Sequence, residues 1–452
     1  MQETDSPVNH DEPSHVFYRS PGQSLPVVVR GEGIELWDAT GHRVIDLASG
    51  ISTTASIGQG RSSVAEAMAT QAKQLAFIHN SWVTNPRQEE LAARYAALAP
   101  SDTNRVMFTS GGSEANELSL RIARQYHLAK GHPQKWKVVS LSPSYHGATM
   151  GALAMTGRWE IHGDYAPYLF GGARVSPPVR FRGPFRDLDP KEAAARSAMM
   201  LADVIEAEGP DSVAVFIAEP VSPSWGMEVA DAGYWAQVRE ICDRYDVLFI
   251  ADEVVSGAGR CGSFLAMEHF GVTADLSNLG KGLTGGYAPL AATLVSDRVA
   301  ETIQSAGRGV AAVHTYSGNP ISCAVGLEVL DIVESEGLYD RSRDRGKFAM
   351  KALSDAIGDH PNVGDVRGLG LLIGIEYVAS KDTREPLDAS FDVSRRLWDA
   401  MWARGYLLRT LHHGSALVGD ATNFVPALTI EEHDLVDASA ALRDSLDEVF
   451  GY

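Results

Sequence analysis

A lysine in a glycine-rich turn is the first residue of this sequence whose setting suggests chemistry. Lys281 lies in the segment Ser277–Gly286 (SNLGKGLTGG), with no carboxylate close by in sequence to form a surface ion pair. A lysine in a tight apolar turn is desolvated and loses its proton more readily, which Schiff-base chemistry requires. For this motif taken alone, a solvent-exposed lysine on a flexible loop is the alternative interpretation.

A carboxylate and a glycine-rich turn could bind the charged parts of a ligand. Asp252 follows the apolar run in VLFIADEV, at the end of a predicted strand where open α/β sheets place ligands. It could keep a pyridinium nitrogen protonated in a dry site, and a capping or turn carboxylate is the alternative. The segment Phe108–Asn116 (FTSGGSEAN) leads into a helix whose amides could bind phosphate, or it is an ordinary loop. It lacks the lysine of a nucleotide-triphosphate loop.

These residues need a scaffold, and the sequence predicts an α/β fold with a mostly parallel sheet. Short apolar runs at 138–141, 213–218 and 247–251 are typical of buried strands. Apolar residues at helical spacing predict helices over 114–130, with Ser113 as the capping residue, and over 234–245. Alternation of strands and helices is the pattern of βα units.

The pattern changes near residue 335, which predicts more than one domain. We assign residues 61–335 to a large domain and 336–452 to a smaller α+β domain. Residues 1–60 form an N-terminal segment, in which the hairpin-like stretch 27–37 packs with the small domain.

Composition excludes several classes of function. The net charge of −19 argues against nucleic acid and anionic membranes as partners, and it suits a cationic small substrate or simple solubility. The sequence has no apolar run of about 18 residues, and it opens with polar and acidic residues that do not resemble a signal peptide. Three widely spaced cysteines predict a reducing, cytoplasmic location with neither a disulfide framework nor a metal site.

Six motifs in a fixed order carry a family resemblance. They are Ser110–Glu117 (SGGSEANE), Ser144–Gly147 (SYHG), Ala218–Val221 (AEPV), Asp252–Val254 with Gly257–Arg260, Leu279–Gly282 (LGKG), and His314–Pro320 (HTYSGNP). Together they resemble the class III pyridoxal-phosphate (PLP) aminotransferases, the ornithine, GABA and ω-amine transaminase group, over nearly the whole chain. The resemblance implies PLP-dependent transferase fold type I and transfer of an amino group between an amine and a keto acid.

The resemblance also implies a role for each residue around the cofactor ring. Lys281 would hold PLP as a Schiff base and act as the general base that moves the substrate proton. Asp252 would pair with the pyridine nitrogen, so that the ring becomes an electron sink. Tyr145 would stack on one ring face, and Val254 would pack on the other.

Further residues are implied at the edge of the cofactor. Gly112 and Ser113 would bind the phosphate, and Thr315 would reach the phosphate of a neighbouring subunit, which implies a homodimer with shared active sites. Glu219 matches the glutamate that precedes proline in the family's active site. His146 follows the stacking aromatic residue, and it would either contact the cofactor or form structural hydrogen bonds.

Alternative functions come from other interpretations of the same residues. The segment Gly257–Gly262 fits G-x-G-x-x-G, which would indicate an NAD-dependent oxidoreductase, but it does not open a helix directly after a first strand. A PLP-free scaffold of the same fold is a second alternative, against which Lys281 and Asp252 speak. Elimination or dehydration, racemisation and decarboxylation of an amino sugar or amino acid also remain open, because PLP supplies the electron sink for each.

Two positions depart from the ornithine and GABA enzymes and leave the substrate open. Ser224 stands where those enzymes have a glutamate that gates a substrate-binding arginine, and Val255 replaces a common glutamine. Arg409 resembles the arginine that receives the keto-acid carboxylate in amine transaminases, with a surface arginine as the alternative. The connection His412–Asn423 is longer than usual, so its alignment is open.

The predicted substrate pocket contains Trp82 and Ser52, at positions where the family lines its substrate site. An aromatic ring there suits a cyclic amine or sugar, because rings stack on it, and core packing is the alternative for Trp82. Together with the segment His15–Ser20 (HVFYRS), the chain is similar to the gentamicin-type aminotransferases of aminoglycoside biosynthesis. That similarity predicts a 6'-amino or 6'-oxo aminoglycoside as substrate.

Overall fold

The large central sheet has seven strands and carries the candidate chemistry on one edge.

In this computed structural model, residues 15–18, 25–312, 314–412 and 419–452 are described. Residues 19–20 of the N-terminal motif and 413–418 of the long connection therefore lie outside the described residues.

The strands of the described chain belong to three sheets. They are β1 (Val28–Glu32), β2 (Glu35–Asp38), β3 (Arg43–Asp46), β4 (Arg105–Thr109), β5 (Lys137–Leu141), β6 (Ala173–Val175), β7 (Val213–Ala218), β8 (Leu248–Asp252), β9 (Leu276–Leu279), β10 (Ala291–Val295), β11 (Val363–Leu369), β12 (Leu372–Tyr377), β13 (Tyr406–Leu407), β14 (Arg409–His412) and β15 (Asp420–Phe424).

The α-helices alternate with these strands. They are α1 (Ser62–Gln74), α2 (Pro86–Leu98), α3 (Gly112–Ala129), α4 (Met150–Met155), α5 (Pro190–Glu208), α6 (Ala232–Arg244), α7 (Asp297–Ser305), α8 (Pro320–Ser335), α9 (Leu338–Ile357), α10 (Val393–Ala403) and α11 (Glu432–Phe450). The helices predicted over 114–130 and 234–245 are confirmed as α3 and α6.

The large sheet has the strand order β4-β10-β9-β8-β7-β5-β6. Strand β10 runs antiparallel to β4 and β9, and the other pairs are parallel, so the prediction of a mostly parallel sheet is confirmed. The three strands predicted from apolar runs are β5, β7 and β8. Every residue of β7 and β8 is buried, because helices cover both faces of the sheet, and this burial explains their continuous apolar sequences.

The register of the parallel strands places the candidate residues together. Asp252 is the last residue of β8 and pairs in register with Asn278 of β9. Strand β9 ends at Leu279, and Lys281 follows two residues later. Because parallel strands end at the same edge of a sheet, Asp252 and Lys281 lie at one edge although they are far apart in sequence.

The N-terminal segment joins the C-terminal part of the chain. The predicted hairpin is confirmed, since β1 and β2 pair antiparallel. Strand β3 then pairs parallel with β13, with Ile45 opposite Tyr406. These contacts agree with an N-terminal segment that packs on a C-terminal unit, although the boundaries at 60 and 335 stay predictions.

The C-terminal part is built on an antiparallel sheet, β11-β12-β15-β14, against which α9 and α10 pack, and α11 packs on these two helices. Leu353 of α9 and Leu442 of α11 belong to its buried apolar core. Burial of one such leucine stabilises the fold by about 2 kcal/mol relative to an exposed side chain. None of the helices in the described ranges is long and apolar enough to cross a membrane.

Candidate active site

The first turn of α3 offers free backbone amides at the edge of the sheet. The helix is preceded by Gly111, whose position provides no side-chain cap, so the prediction that Ser113 caps it is wrong. Ser113 lies inside the first turn instead, and its Oγ accepts a hydrogen bond from the Ala148 N–H at 3.1 Å. A Cβ on Gly112 would lie 2.7 Å from Val254 Cγ1, which explains the glycine at the first helical position. Uncapped amides at a helix N-terminus bind anions such as phosphate.

Lys281 opens a short 3-10 turn directly beside this helix start. A Cβ on the preceding Gly280 would lie 3.7 Å from the Gly112 amide nitrogen and 3.3 Å from Val254 Cγ1. Lys281 itself has a φ of 44°, a left-handed conformation that is uncommon outside glycine and is often found at functional sites. The lysine is therefore held next to the predicted phosphate site by close backbone packing.

The surroundings of Lys281 make its amine easier to deprotonate. Burial lowers the pKa of Lys281, because removal from water penalises the ammonium form. The carboxylates of Asp252 and Glu219 act in the opposite direction, and Arg409 lowers the pKa further. The charges of Asp252, Glu219 and Arg409 thus all influence the amine of Lys281.

Asp252 is buried and firmly held in this site. Its Oδ2 accepts hydrogen bonds from Asn116 Nδ2 at 2.7 Å and from His146 Nδ1 at 2.8 Å. Its Oδ1 accepts one from the Val254 N–H at 3.1 Å. The structure therefore gives His146 the hydrogen-bonding role that was one of its two interpretations, while Asp252 retains an oxygen that can accept a further donor.

Glu219 connects the site to the aromatic residue Tyr145. Its Oε2 accepts a hydrogen bond from the Tyr145 N–H at 3.1 Å, and the Tyr145 side chain is itself partly exposed. Burial raises the pKa of Glu219 to about 7, and the charge of Asp252 adds to this effect. His146, Ser222 and the Tyr145 N–H lower the pKa but do not outweigh burial.

We expect Glu219 to make the stability of the protein depend on pH. Its folded pKa of about 7 lies above the ordinary value of 4.5, so the folded state binds the extra proton between these values. The contribution of Glu219 is therefore fully present below about pH 4.5 and is lost as the pH rises through about 7. Relative to Glu219→Gln, the wild-type protein should lose about 3 kcal/mol of unfolding free energy over this range.

Denaturant unfolding of both proteins at several pH values measures this difference. Glu66→Gln, a change at an exposed glutamate, is the control and should leave the wild-type pH dependence intact. A Glu219→Gln protein with the same pH dependence as the wild type would show that the pKa of Glu219 is the same in the folded and unfolded protein.

The predicted substrate residues lie further out. Arg409 Nη1 donates a hydrogen bond to the Ile51 carbonyl at 2.8 Å, so Arg409 lies next to Ser52, whose Oγ contacts Thr54 Oγ1 at 2.8 Å. Trp82 is 96% exposed, so the alternative of core packing within this chain is wrong.

Among the described residues of one chain, no hydrogen bond or ion pair joins two other predicted positions, Ser224 and Thr315, to Lys281. Ser224 is buried, and its N–H donates to Ser222 Oγ. Thr315 is exposed, and the neighbouring His314 has its Nδ1 3.9 Å from Glu114 Oε1 near the start of α3. The exposure of Thr315 leaves it accessible to another chain.

Some residues of the site were missed by the sequence analysis. Asn116 and Asn278 contact each other beside Asp252, with Asn278 Nδ2 donating to Asn116 Oδ1 at 2.7 Å. Asn116 lies one helical turn after Gly112, which was the available sequence signal. Asn278 had none, because its position depends on which strand becomes the neighbour of β8.

The nucleotide-binding alternative fails on local structure. Residues 257–262 form a series of turns that lead to no α-helix, whereas the G-x-G-x-x-G motif must open a helix after its strand. A Cβ on Gly262 would lie 2.2 Å from the Arg343 side chain, so this glycine is explained by packing. Arg260 within the segment is buried and donates to the Leu371 carbonyl at 3.1 Å.

Comparison with known proteins gives consistent results. The chain matches the family model described as aminotransferase class-III over residues 17–446. It is 41% identical to a Mycobacterium tuberculosis protein named "Probable aminotransferase", over 89% of this chain and 86% of that protein. It is 32% identical to putrescine–pyruvate aminotransferase of Pseudomonas aeruginosa, over 97% and 94% of the two chains. The structure of an (S)-enantioselective omega-transaminase from Thermomicrobium roseum superposes with a TM-score of 0.88 at 35% identity, over 98% and 96%.

Proposed function

The chain belongs to the class III aminotransferase family, and on that premise we propose which of its residues carry out transamination. It has the fold of the type I PLP-dependent transferases and is a PLP-dependent enzyme that moves an amino group between an amine and a keto acid. When bound, PLP supplies an electron sink that stabilises the negative charge left on a substrate carbon after a proton is removed.

The residues of the site fit this cofactor. PLP carries a phosphate, a ring nitrogen that can be protonated and an aldehyde. The uncapped start of α3 suits the phosphate, the buried carboxylate of Asp252 suits the protonated nitrogen, and the amine of Lys281 suits the aldehyde. The proposal rests on the convergence of these three groups at one edge of the sheet.

Each residue then has a specific task. Lys281 Nζ would hold the cofactor, and once the substrate amine has displaced it, the free desolvated amine would take the proton from the substrate carbon and return it one position away. Asp252 would accept a hydrogen bond from the ring nitrogen and keep it protonated. The Tyr145 ring and Val254 would pack on the two faces of the cofactor, while Gly112 and Ser113 would bind its phosphate.

We propose that the amine substrate is a 6'-amino aminoglycoside, and that the enzyme takes part in antibiotic biosynthesis. The wide exposure of Trp82 supports this substrate, because an exposed ring offers a stacking surface to a sugar. The net charge of −19 favours a polycationic substrate of this kind. Arg409 would receive the carboxylate of the keto acid, beside Ser52.

A half-reaction screen tests the substrate. The PLP-loaded protein is mixed with single amines, and conversion of the bound cofactor to its amine form is followed by absorbance. We expect conversion with 6'-amino aminoglycosides and none with their 6'-hydroxy analogues. Conversion by putrescine or other simple ω-amines alone would reject the aminoglycoside proposal and leave transamination intact.

We further propose a homodimer with shared active sites, located in the cytoplasm. Two exposed aromatic side chains, Phe77 and Tyr316, pack against each other with ring centroids 6.0 Å apart. Exposed apolar clusters of this kind mark association surfaces. Thr315 of the partner subunit would then complete the phosphate site, and a measured mass of one chain in solution would reject this arrangement.

A further inference from the structure

A chain of buried hydrogen bonds leads away from Asp252 through the large sheet. Asn116 Nδ2 donates to Asp252 Oδ2 at 2.7 Å and to the His146 carbonyl at 2.6 Å, so both hydrogens of this amide are used. Asn116 Oδ1 in turn accepts from Asn278 Nδ2 at 2.7 Å. The NH₂ group of Asn278 thus faces the carbonyl oxygen of Asn116.

The chain ends at two hydroxyl groups. Asn278 Oδ1 accepts from Ser119 Oγ at 2.7 Å and from Thr293 Oγ1 at 2.8 Å. All four side chains of this chain of hydrogen bonds are buried, so no bulk water replaces a lost partner. If either asparagine amide rotated by 180°, its donors and acceptors would lose their partners, at a cost comparable to a lost hydrogen bond.

The strand register creates this arrangement. Asn278 pairs with Asp252 across the parallel strands β8 and β9, and with Thr293 across the antiparallel strands β9 and β10. The helix α3 adds Asn116 and Ser119, which are three residues apart and therefore on the same face. The side chains meet at the centre of the sheet because three strands and one helix converge there.

The hydrogen bonds in this chain run in one direction only. The Asp252 carboxylate and the His146 carbonyl can only accept hydrogen bonds, so the NH₂ group of Asn116 must face them. Asn116 Oδ1 must then accept, which makes Asn278 donate with its NH₂ group and accept with its Oδ1. The two hydroxyls, which can donate or accept, act as donors in this arrangement.

We propose that Asn278 is a positioning residue that acts through Asn116 to fix the orientation and charge of Asp252. With the asparagine amides locked, two donors hold Asp252 Oδ2, and Oδ1 stays turned toward the ring nitrogen of PLP. This inference rests on the proposed role of Asp252. It adds a residue on the neighbouring strand that touches neither cofactor nor substrate in that role.

Asn278→Asp is the test, because it keeps the shape of the side chain and removes its donor. The added carboxylate oxygen faces Asn116 Oδ1. If the Asn116 amide rotates by 180° to avoid this contact, the amide oxygen faces Asp252 Oδ2 instead. Either arrangement places like partial charges together and disturbs the carboxylate. We expect the dissociation constant for PLP to rise about tenfold or more.

The same variant should change the pH titration of the bound cofactor. A weakened Asp252 contact lowers the positive charge on the ring. The nitrogen that joins Lys281 to the cofactor then holds its proton more tightly. The pH at which the absorbance of the bound cofactor changes should therefore move upward. A merely structural defect lowers the melting temperature without moving this titration.

Two further variants separate the roles. Asn278→Ala removes the donor to Asn116 Oδ1 but places no oxygen against it, so we expect an upward shift of the titration that is smaller than in Asn278→Asp. Asn104→Asp is a matched change at an exposed asparagine that contacts Asp297 Oδ2, and it should leave PLP binding unchanged. If Asn278→Asp does not fold, Thr293→Val, which removes one hydroxyl donor, should move the titration in the same direction by less.

The outcomes distinguish this inference from the proposed function. Wild-type protein that binds PLP, combined with wild-type titrations in both Asn278→Asp and Asn278→Ala, would overturn the positioning role alone. If Asn278→Asp does not fold, an unchanged titration in Thr293→Val would likewise overturn only the positioning role. Wild-type protein that takes up no PLP would overturn the proposed function and this inference together.

Discussion

Lys281→Ala lowers turnover by roughly 10⁴-fold or more, the largest effect that we expect from any single substitution in this protein. One atom, Nζ, has two tasks, since it holds the cofactor and moves the substrate proton. Loss of the side chain removes both together. Steady-state turnover with an active amine and keto acid measures the effect.

Stability should respond differently from activity. Burial lowers the pKa of Lys281, which means that the fold disfavours its charged form. Replacement by alanine removes this unfavourable burial, so the melting temperature of the cofactor-free variant should not fall below that of the wild type. A large loss of stability together with the loss of turnover would indicate a structural role for the lysine.

Borohydride reduction gives a second, independent measurement for this residue. In the wild type it should fix the cofactor permanently to the chain, whereas in Lys281→Ala the cofactor should wash out. Added methylamine, which is small enough to enter the space left by the side chain, should restore part of the turnover. Lys351→Ala is the matched control, because Lys351 is exposed and lies on α9. Turnover by Lys281→Ala near the wild-type level would reject the central assignment.

Asp252→Asn should reduce turnover by roughly 10²- to 10⁴-fold, the effect of breaking a buried ion pair. The direction of the local hydrogen bonds explains the size of the loss. Asn116 and His146 both donate to Oδ2, so the oxygen of the new amide must stay on that side. Its NH₂ group then replaces Oδ1 and faces the Val254 N–H and the ring nitrogen. Two donors meet there, and the ring nitrogen cannot keep its proton.

Measurements of PLP affinity and turnover check this result. Asp252→Glu keeps the charge but moves it by one carbon, so we expect a smaller loss than for Asp252→Asn. Asp355→Asn, at an exposed aspartate of α9, is the control for the loss of a carboxylate and should leave both quantities unchanged. Equal turnover in Asp252→Asn and the wild type would show that this carboxylate is only a turn residue.

Much of the fold could be predicted from the sequence, because the signals were local. The apolar runs of β5, β7 and β8 predicted buried strands, and the spacing in α3 and α6 predicted helices. The motifs around Lys281 and Asp252 were recognisable, since each occupies a short segment with its own pattern. Local patterns of this kind reflect the period of a strand or helix and the solvent that it meets.

Other features of the site depended on contacts across the chain. The capping role predicted for Ser113 was wrong, because its hydroxyl accepts from the Ala148 N–H. The alternative of core packing for Trp82 was wrong as well, since that side chain is exposed. The preference of serine for helix starts and of tryptophan for cores gives only an average, which a particular tertiary contact overrides.

The sequence by itself determined the chemistry that this protein can perform, through the lysine, the strand-end aspartate and the glycine-rich turn of the family motifs. The tertiary structure alone decided how that chemistry is supported. Asn278 lies beside Asp252 only because β9 is the neighbour of β8 in one register, and Asn116 reaches both only because α3 crosses that edge. Strand order and register are set by the packing of the whole domain, so no short segment of sequence contains them.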